Sequence, residues 1–388
     1  MAASVLCPGV TRILDCPDIS DVEHMAQILR GLGCGATLTD ARMEIDARRL
    51  TGEEMPDALS KKLRSSIFML GSLLARQGRA TATYPGGCEI GMRPIDLHLS
   101  GLRSLGVTVR EEGGALYLDG SKMRAADVHF DYPSVGATEN VMLAAVLLNG
   151  VTTLHNAARE PEIEDLARFI NRMGGQVSGA GTQRIEVRGV NGLSAADYTP
   201  IPDRIVGGTL LCAAAITGGE MTIQNARALD MVAVLSKLRE MGCAIQESAD
   251  AVTLRAPARL RAFEQLQTQP HPGFPTDMQV QMLTLASVAL GTSVVVENVF
   301  ENRFMHAGDL NGMGANIRIS GRAAIVRGVP ELCGRRVSAR DLRGGAALVL
   351  AGLCAKGETI VERTEHIERG YERFDETLRA LGANIVRI

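Results

Sequence analysis

Apolar residues along this chain follow a helical period and then a period of two, and the change recurs six times. An amphipathic helix runs into Leu-Gly or Met-Gly, and alternating residues follow, as in Ala244-Ile245-Gln246-Glu247 or Ala315-Asn316-Ile317-Arg318-Ile319. The closing glycines are Gly33, Gly106, Gly174, Gly242, Gly314 and Gly382, spaced by 73, 68, 68, 72 and 68 residues. Each suits the left-handed position that ends a helix. After each come a strand, a turn and a second strand, for example Arg184-Ile185-Glu186-Val187 and Ala251-Val252-Thr253-Leu254.

A second phrase precedes the first: a helix of small residues, a glycine and a β-branched strand. Leu143 to Gly150 leads into Val151 to Leu154, Leu210 to Gly218 into Met221-Thr222-Ile223, and Leu348 to Gly357 into Thr359-Ile360-Val361. The pattern predicts an α/β fold of six βαβαββ-like units, too long for a solenoid repeat. Three units per domain give two similar domains, 1–200 and 201–388, meeting near Pro200–Pro202. The first unit is short. Its mid-unit glycine is Gly9, so Met1 is expected inside a helix, and the opening strand with its turn is expected to be missing.

Composition narrows the class. Of 388 residues 46% are hydrophobic and only 3% aromatic, with no Trp, so the cores must be built from small and aliphatic side chains. Net charge is −3, and no basic run interleaves with aromatics, which disfavours a nucleic-acid partner. Apolar runs such as Val141 to Leu148 are far short of the roughly 20 residues that span a bilayer, and no basic-then-apolar leader opens the chain. These features predict a soluble cytoplasmic protein. None of the eight cysteines falls in a CxxC pair or at zinc-ligand spacing, and no Walker or GxGxxG loop is visible.

Polar groups collect where the small-residue helices begin: Arg64, Ser134, Asp203, Asp277 and Arg343. Helix N-termini suit anions. Ser134 and Asp203 read first as caps, whereas arginine there opposes the dipole, which marks Arg64 and Arg343 as functional candidates. The segment Tyr84-Pro85-Gly86-Gly87-Cys88-Glu89-Ile90-Gly91-Met92-Arg93-Pro94 reads as a mobile loop with an exposed thiol near a guanidinium. Glu301–Arg303 and Glu368–Arg369 read as surface ion pairs, and His271 and His306 as structural residues.

Pro85-Gly86-Gly87-Cys88-Glu89-Ile90-Gly91-Met92-Arg93-Pro94-Ile95-Asp96-Leu97-His98 resembles the catalytic loop of the UDP-N-acetylglucosamine 1-carboxyvinyltransferases, within the enolpyruvyl transferase family. So do Pro133-Ser134-Val135-Gly136-Ala137-Thr138-Glu139-Asn140, Pro202-Asp203-Arg204-Ile205, Phe274-Pro275-Thr276-Asp277-Met278-Gln279, Val299-Phe300-Glu301-Asn302-Arg303-Phe304-Met305-His306, Asp341-Leu342-Arg343 and Arg369-Gly370-Tyr371-Glu372. The resemblance runs in order over essentially the whole chain.

The resemblance implies an inverted, inside-out α/β barrel in two domains that close on the substrates. It implies transfer of enolpyruvyl from phosphoenolpyruvate to the 3-hydroxyl of UDP-N-acetylglucosamine with release of phosphate, the first committed step of peptidoglycan synthesis, without metal or organic cofactor. Cys88 would protonate the methylene carbon and be the target of fosfomycin-type epoxides. Asp277 would accept the hydroxyl proton. Arg93, Arg343 and Arg369 would hold phosphate and carboxylate. Arg64, Arg93, Pro94, Ile95, Asp96, Leu97, Ser134, Val135, Gly136, Val299 and Arg303 would line the substrate site, with Tyr132 where some relatives place Lys. Family members open with a strand, a glycine turn and a Lys-Asn pair that this sequence does not contain. On that ground a weakly active or non-catalytic UDP-sugar binder is the alternative, and slow phosphate release is expected. Shikimate as acceptor is disfavoured by the Gly-Gly-Cys loop, and an RNA 3′-phosphate by the acidic balance.

Overall fold

The computed structural model describes residues 1–84 and 95–388, with the backbone alone at Asp57, Lys61, Lys62 and Arg64. The described residues divide into two compact units, one of 1–84 and 95–201, the other Pro202–Ile388. Each has its own hydrophobic core. No helix of the described residues is long and apolar enough to cross a membrane.

In the first unit one mixed sheet runs Asp197–Tyr198, Val10–Ile13, Arg42–Asp46, Gly35–Thr39, and another runs Asp127–His129, Val151–His155, Arg184–Arg188, Gln176–Ser178. In both, the first pair is parallel and the others antiparallel. A three-stranded antiparallel sheet, Arg79–Thr83, Ala115–Asp119, Thr108–Glu112, completes the set. The second unit repeats the scheme with Glu220–Gln224, Ala251–Arg255, Ala244–Glu247 and with Gln265–Gln267, Thr292–Val296, Ala323–Arg327, Asn316–Ser320. Its third sheet has two parallel strands, Arg336–Ser338 and Ile360–Glu362.

Two kinds of helix serve these sheets. Outer helices are amphipathic: Pro161–Arg172 starts on Pro, buries Ile163, Ala167, Phe169 and Ile170, and carries Glu162 and Glu164 at its positive end and Arg172 at its negative end. Inner helices are buried nearly all round. In the second unit Arg204–Ile216, Thr276–Val288 and Leu342–Cys354 pack on one another, and in the first Met69–Gln77 packs on Val135–Ala145. Small residues permit this: a β-carbon on Gly208 would lie 2.9 Å from Met278 Cε.

All six closing glycines are left-handed, with φ between 91° at Gly33 and 99° at Gly382. Each donates to the carbonyl three residues back, and the following residue to the carbonyl five back, as Gly174 to Asn171 and Gly175 to Ile170 do. This is one Schellman stop used six times.

Two expectations need correction. Met1 is not inside an α-helix; Ala2–Leu6 forms a 3₁₀ helix with Met1 at its N-cap. The strand expected beyond Gly382 does not form either, since residues 383–388 have no ladder partner among the described residues, and Ile385 N turns back to Ala383 O.

Candidate active site

Three inner helices of the second unit start close together, and each start carries an acid. Asp203 caps Arg204–Ile216, accepting from the N–H groups of Ile205 at 2.7 Å and Val206 at 2.9 Å. Asp341 caps Leu342–Cys354, accepting from Arg343 N at 3.0 Å and Gly344 N at 2.9 Å. Asp277 is the second residue of Thr276–Val288 and is not a cap. Its side chain faces two guanidiniums instead: Arg303 Nη2 donates to Oδ1 at 2.8 Å, and Arg343 Nε approaches Oδ2 at 3.4 Å.

Arg303 is thus no surface residue. Its side chain is 2% exposed and its ion partner is Asp277, 26 residues away, rather than Glu301. Glu368, for its part, pairs with Arg387. Arg343 lies with its guanidinium carbon 5.4 Å from the centre of the buried Tyr371 ring. Burial works against its charge, yet Tyr371, Asp277 and Asp203 hold its pKa above the ordinary arginine value. Arg303 Nε and Arg343 Nη1 are buried and find no hydrogen-bond partner among the described residues. Buried guanidinium donors in that condition suit an anion.

Thr209, Gln281 and Glu297, which the sequence reading passes over, help hold this arrangement together with Tyr371 and His306. Thr209 donates to Ile205 O at 2.8 Å, so the Tyr371 hydroxyl, 2.9 Å away, donates to Thr209 Oγ1. Gln281 Nε2 donates to the same oxygen at 2.9 Å. Glu297, 1% exposed, accepts from Thr268 Oγ1 at 2.8 Å, Thr276 Oγ1 at 3.0 Å, Val299 N at 2.8 Å and Phe300 N at 3.1 Å. One buried carboxylate therefore ties the start of the Asp277 helix to the Val299 turn. His306, also buried, has its pKa pushed down to about 4, first by burial and then by Arg303, with Asp341 acting in the opposite sense. The signal for these residues was polar side chains inside otherwise apolar helices and strands.

In the first unit Ser134 caps Val135–Ala145, accepting from Ala137 N at 3.3 Å. The capping readings of Ser134 and Asp203 therefore hold. Val135 and Gly136 form the first turn and are half-buried. Ile95 is buried at the N-cap of Asp96–Ser104, where Asp96 is exposed and Leu97 half-buried. Arg64 opens the 3₁₀ turn Arg64–Phe68. Gly136 brings these three starts together: a β-carbon there would lie 2.8 Å from His98 Cε1 and 3.0 Å from Phe68 Cε1. Tyr132 is exposed near this start. Arg369 is half-buried in the turn before Phe374–Ala380. Cys88, Arg93 and Pro94 lie outside the described residues.

The sequence profile of EPSP synthase (3-phosphoshikimate 1-carboxyvinyltransferase) matches residues 1–378. The chain is 48% identical over 388 residues to UDP-N-acetylglucosamine 1-carboxyvinyltransferase 2 of Caldanaerobacter subterraneus subsp. tengcongensis, covering 100% of this chain and 93% of that protein. It is 45% identical over 390 residues to UDP-N-acetylglucosamine 1-carboxyvinyltransferase of Myxococcus xanthus, with coverage of 100% and 93%. The crystal structure of the enolpyruvyl transferase NikO from Streptomyces tendae matches with a TM-score of 0.89 at 26% identity, covering 99% of this chain and 91% of that one. EPSP synthase from Acinetobacter baumannii shares the fold, with a TM-score of 0.73 at 17% identity and coverage of 98% and 93%.

Proposed function

The chain belongs to the EPSP synthase family of enolpyruvyl transferases, and we propose that it moves the enolpyruvyl group of phosphoenolpyruvate onto the 3-hydroxyl of UDP-N-acetylglucosamine, releasing phosphate. The observation that carries this reading is the near-half identity, over the full chain, to relatives named for that reaction. The Asp277–Arg303–Arg343 cluster, with buried guanidinium donors that find no partner among the described residues, supports it from the side of chemistry.

In this reading the fold is an inverted α/β barrel of six related units in two domains, 1–200 and 201–388. The reaction is addition followed by elimination. The sugar 3-hydroxyl oxygen bonds to C2 of phosphoenolpyruvate while Cys88 gives a proton to C3, and Asp277 takes the hydroxyl proton. Loss of a proton from C3 then expels phosphate and restores the double bond. Two arginines orient the Asp277 carboxylate and balance its charge before substrate arrives, which is electrostatic preorganisation. Arg93, Arg343 and Arg369 bind the phosphate and carboxylate of the donor through planar, forked contacts. Arg64, Arg93, Pro94, Ile95, Asp96, Leu97, Tyr132, Ser134, Val135, Gly136, Val299 and Arg303 bind the nucleotide sugar and orient its hydroxyl. The reading carries with it a cytoplasmic location and a place at the start of peptidoglycan synthesis.

The test is a coupled phosphate assay with both substrates and mass spectrometry of the sugar product. The expected result is phosphate release in step with an enolpyruvyl ether of UDP-N-acetylglucosamine. Release with another acceptor and none with this one would overturn the reading.

A further inference from the structure

Asn140 lies in the helix Val135–Ala145 and is fully buried, one turn beyond Gly136. Its Oδ1 accepts from Gly71 N at 2.6 Å and its Nδ2 donates to Ile67 O at 3.1 Å. Ile67 and Gly71 are four residues apart and straddle the junction of the 3₁₀ turn Arg64–Phe68 with the helix Met69–Gln77. An uninterrupted α-helix would bond that carbonyl to that N–H directly. The carboxamide stands in for a peptide group and is inserted into the ladder, which sets the Arg64 turn apart from the helix behind it. Close approach is built in, since a β-carbon on Gly71 would lie 2.2 Å from the Asn140 carbonyl oxygen.

The two backbone partners also fix which end of the amide is which. Gly71 N can only donate and Ile67 O can only accept. The second N–H of Nδ2 is therefore left for His98 Nδ1, at 3.2 Å, and that ring nitrogen must accept. The imidazole is held neutral with its proton on Nε2. His98 belongs to Asp96–Ser104, and its Cε1–Nε2 edge packs under Gly136. One carboxamide thus ties together the three starts that carry Arg64, Asp96 with Leu97, and Ser134 to Gly136.

We propose that Asn140 is a positioning residue for nucleotide-sugar recognition, fixing the Arg64 turn and the His98 tautomer so that these three helix starts present one preformed surface. The inference rests on the functional reading above and deepens it. Asn140→Asp keeps the acceptor for Gly71 but sets oxygen against Ile67 O and His98 Nδ1. Asn140→Ala lets Ile67 and Gly71 close as ordinary helix.

Calorimetry of UDP-N-acetylglucosamine with the unsubstituted chain comes first; no binding there removes the functional reading and the inference with it. With binding established, both variants should raise KM for the nucleotide sugar on the order of tenfold or more, while kcat at saturation falls far less. An unchanged KM with lowered kcat, or a melting temperature lowered with KM unmoved, would overturn the positioning role. Nitrogen-15 NMR of the unsubstituted protein should show His98 Nδ1 unprotonated and Nε2 protonated. That reading stands even where a variant fails to fold, and a protonated Nδ1 would overturn the inference.

Discussion

Arg303, almost wholly buried, donates from Nη2 to Asp277 Oδ1 at 2.8 Å and so commits a charge to the interior that only this carboxylate is bonded to balance among the described residues. Removing the carboxylate should hurt twice. Asp277→Asn leaves the guanidinium without its counter-charge, at a cost of about 2 kcal/mol, discounted because Asp277 itself is partly exposed. It also removes the proposed proton acceptor, for a fall of roughly 100-fold or more in kcat. Urea denaturation and phosphate release read the two effects separately.

Tyr371 offers Arg343 a ring face and gives its hydroxyl to Thr209. Tyr371→Phe keeps the face and should lower stability by about 1 kcal/mol through the lost hydrogen bond. Tyr371→Leu loses both and should lower phosphate release several-fold beyond the Phe variant, because the guanidinium is no longer seated. Equal rates for the two variants would show that the ring does not seat Arg343.

His306 ties stability to pH. Its folded-state pKa of about 4 lies below the ordinary 6.5. Between those values the unfolded chain binds a proton at this residue that the folded chain refuses, so the His306 contribution to stability falls as pH drops from about 6.5 toward about 4 and is flat above. His306→Gln should flatten this part of the profile. Urea midpoints measured at about pH 7 and about pH 5 on both proteins check it.

The thiols should differ in reactivity. Burial raises the pKa of Cys7 and Cys212 and pushes Cys34, Cys243 and Cys354 up to about 11, which starves them of thiolate. A fosfomycin-type epoxide should therefore mark Cys88, and Cys88→Ala should abolish the adduct by mass spectrometry. An adduct at exposed Cys333 in place of Cys88 would count against the role proposed for the loop.

The sequence made the local grammar legible. Glycine spacing located six helix stops, and period-two patterning located the hairpins that follow them. Ser134 and Asp203 read correctly as caps because a cap bonds within three residues of itself. What escaped was pairing over distance. Arg303 was matched to Glu301 two positions away because the chain hides that Asp277 lies beside it in space. Thr209 and Gln281 escape for a related reason: each is a buried polar residue on a helix mostly given to packing, and they meet one another only in space. The expected strand beyond Gly382 fails for the converse reason, since alternation supplies a face but not a neighbour to bond to.

Six helices leave through the same backbone stop, at φ angles within 8° of one another. The exit direction of the five hairpins that follow is therefore written in main-chain geometry, not in the side chains around it. Residues facing a substrate can change identity freely without re-aiming the scaffold that carries them, while a β-carbon at any one of the six stops would strain the left-handed turn at a cost of about 1–2 kcal/mol. Such a chassis separates the freedom to alter chemistry from the freedom to alter shape.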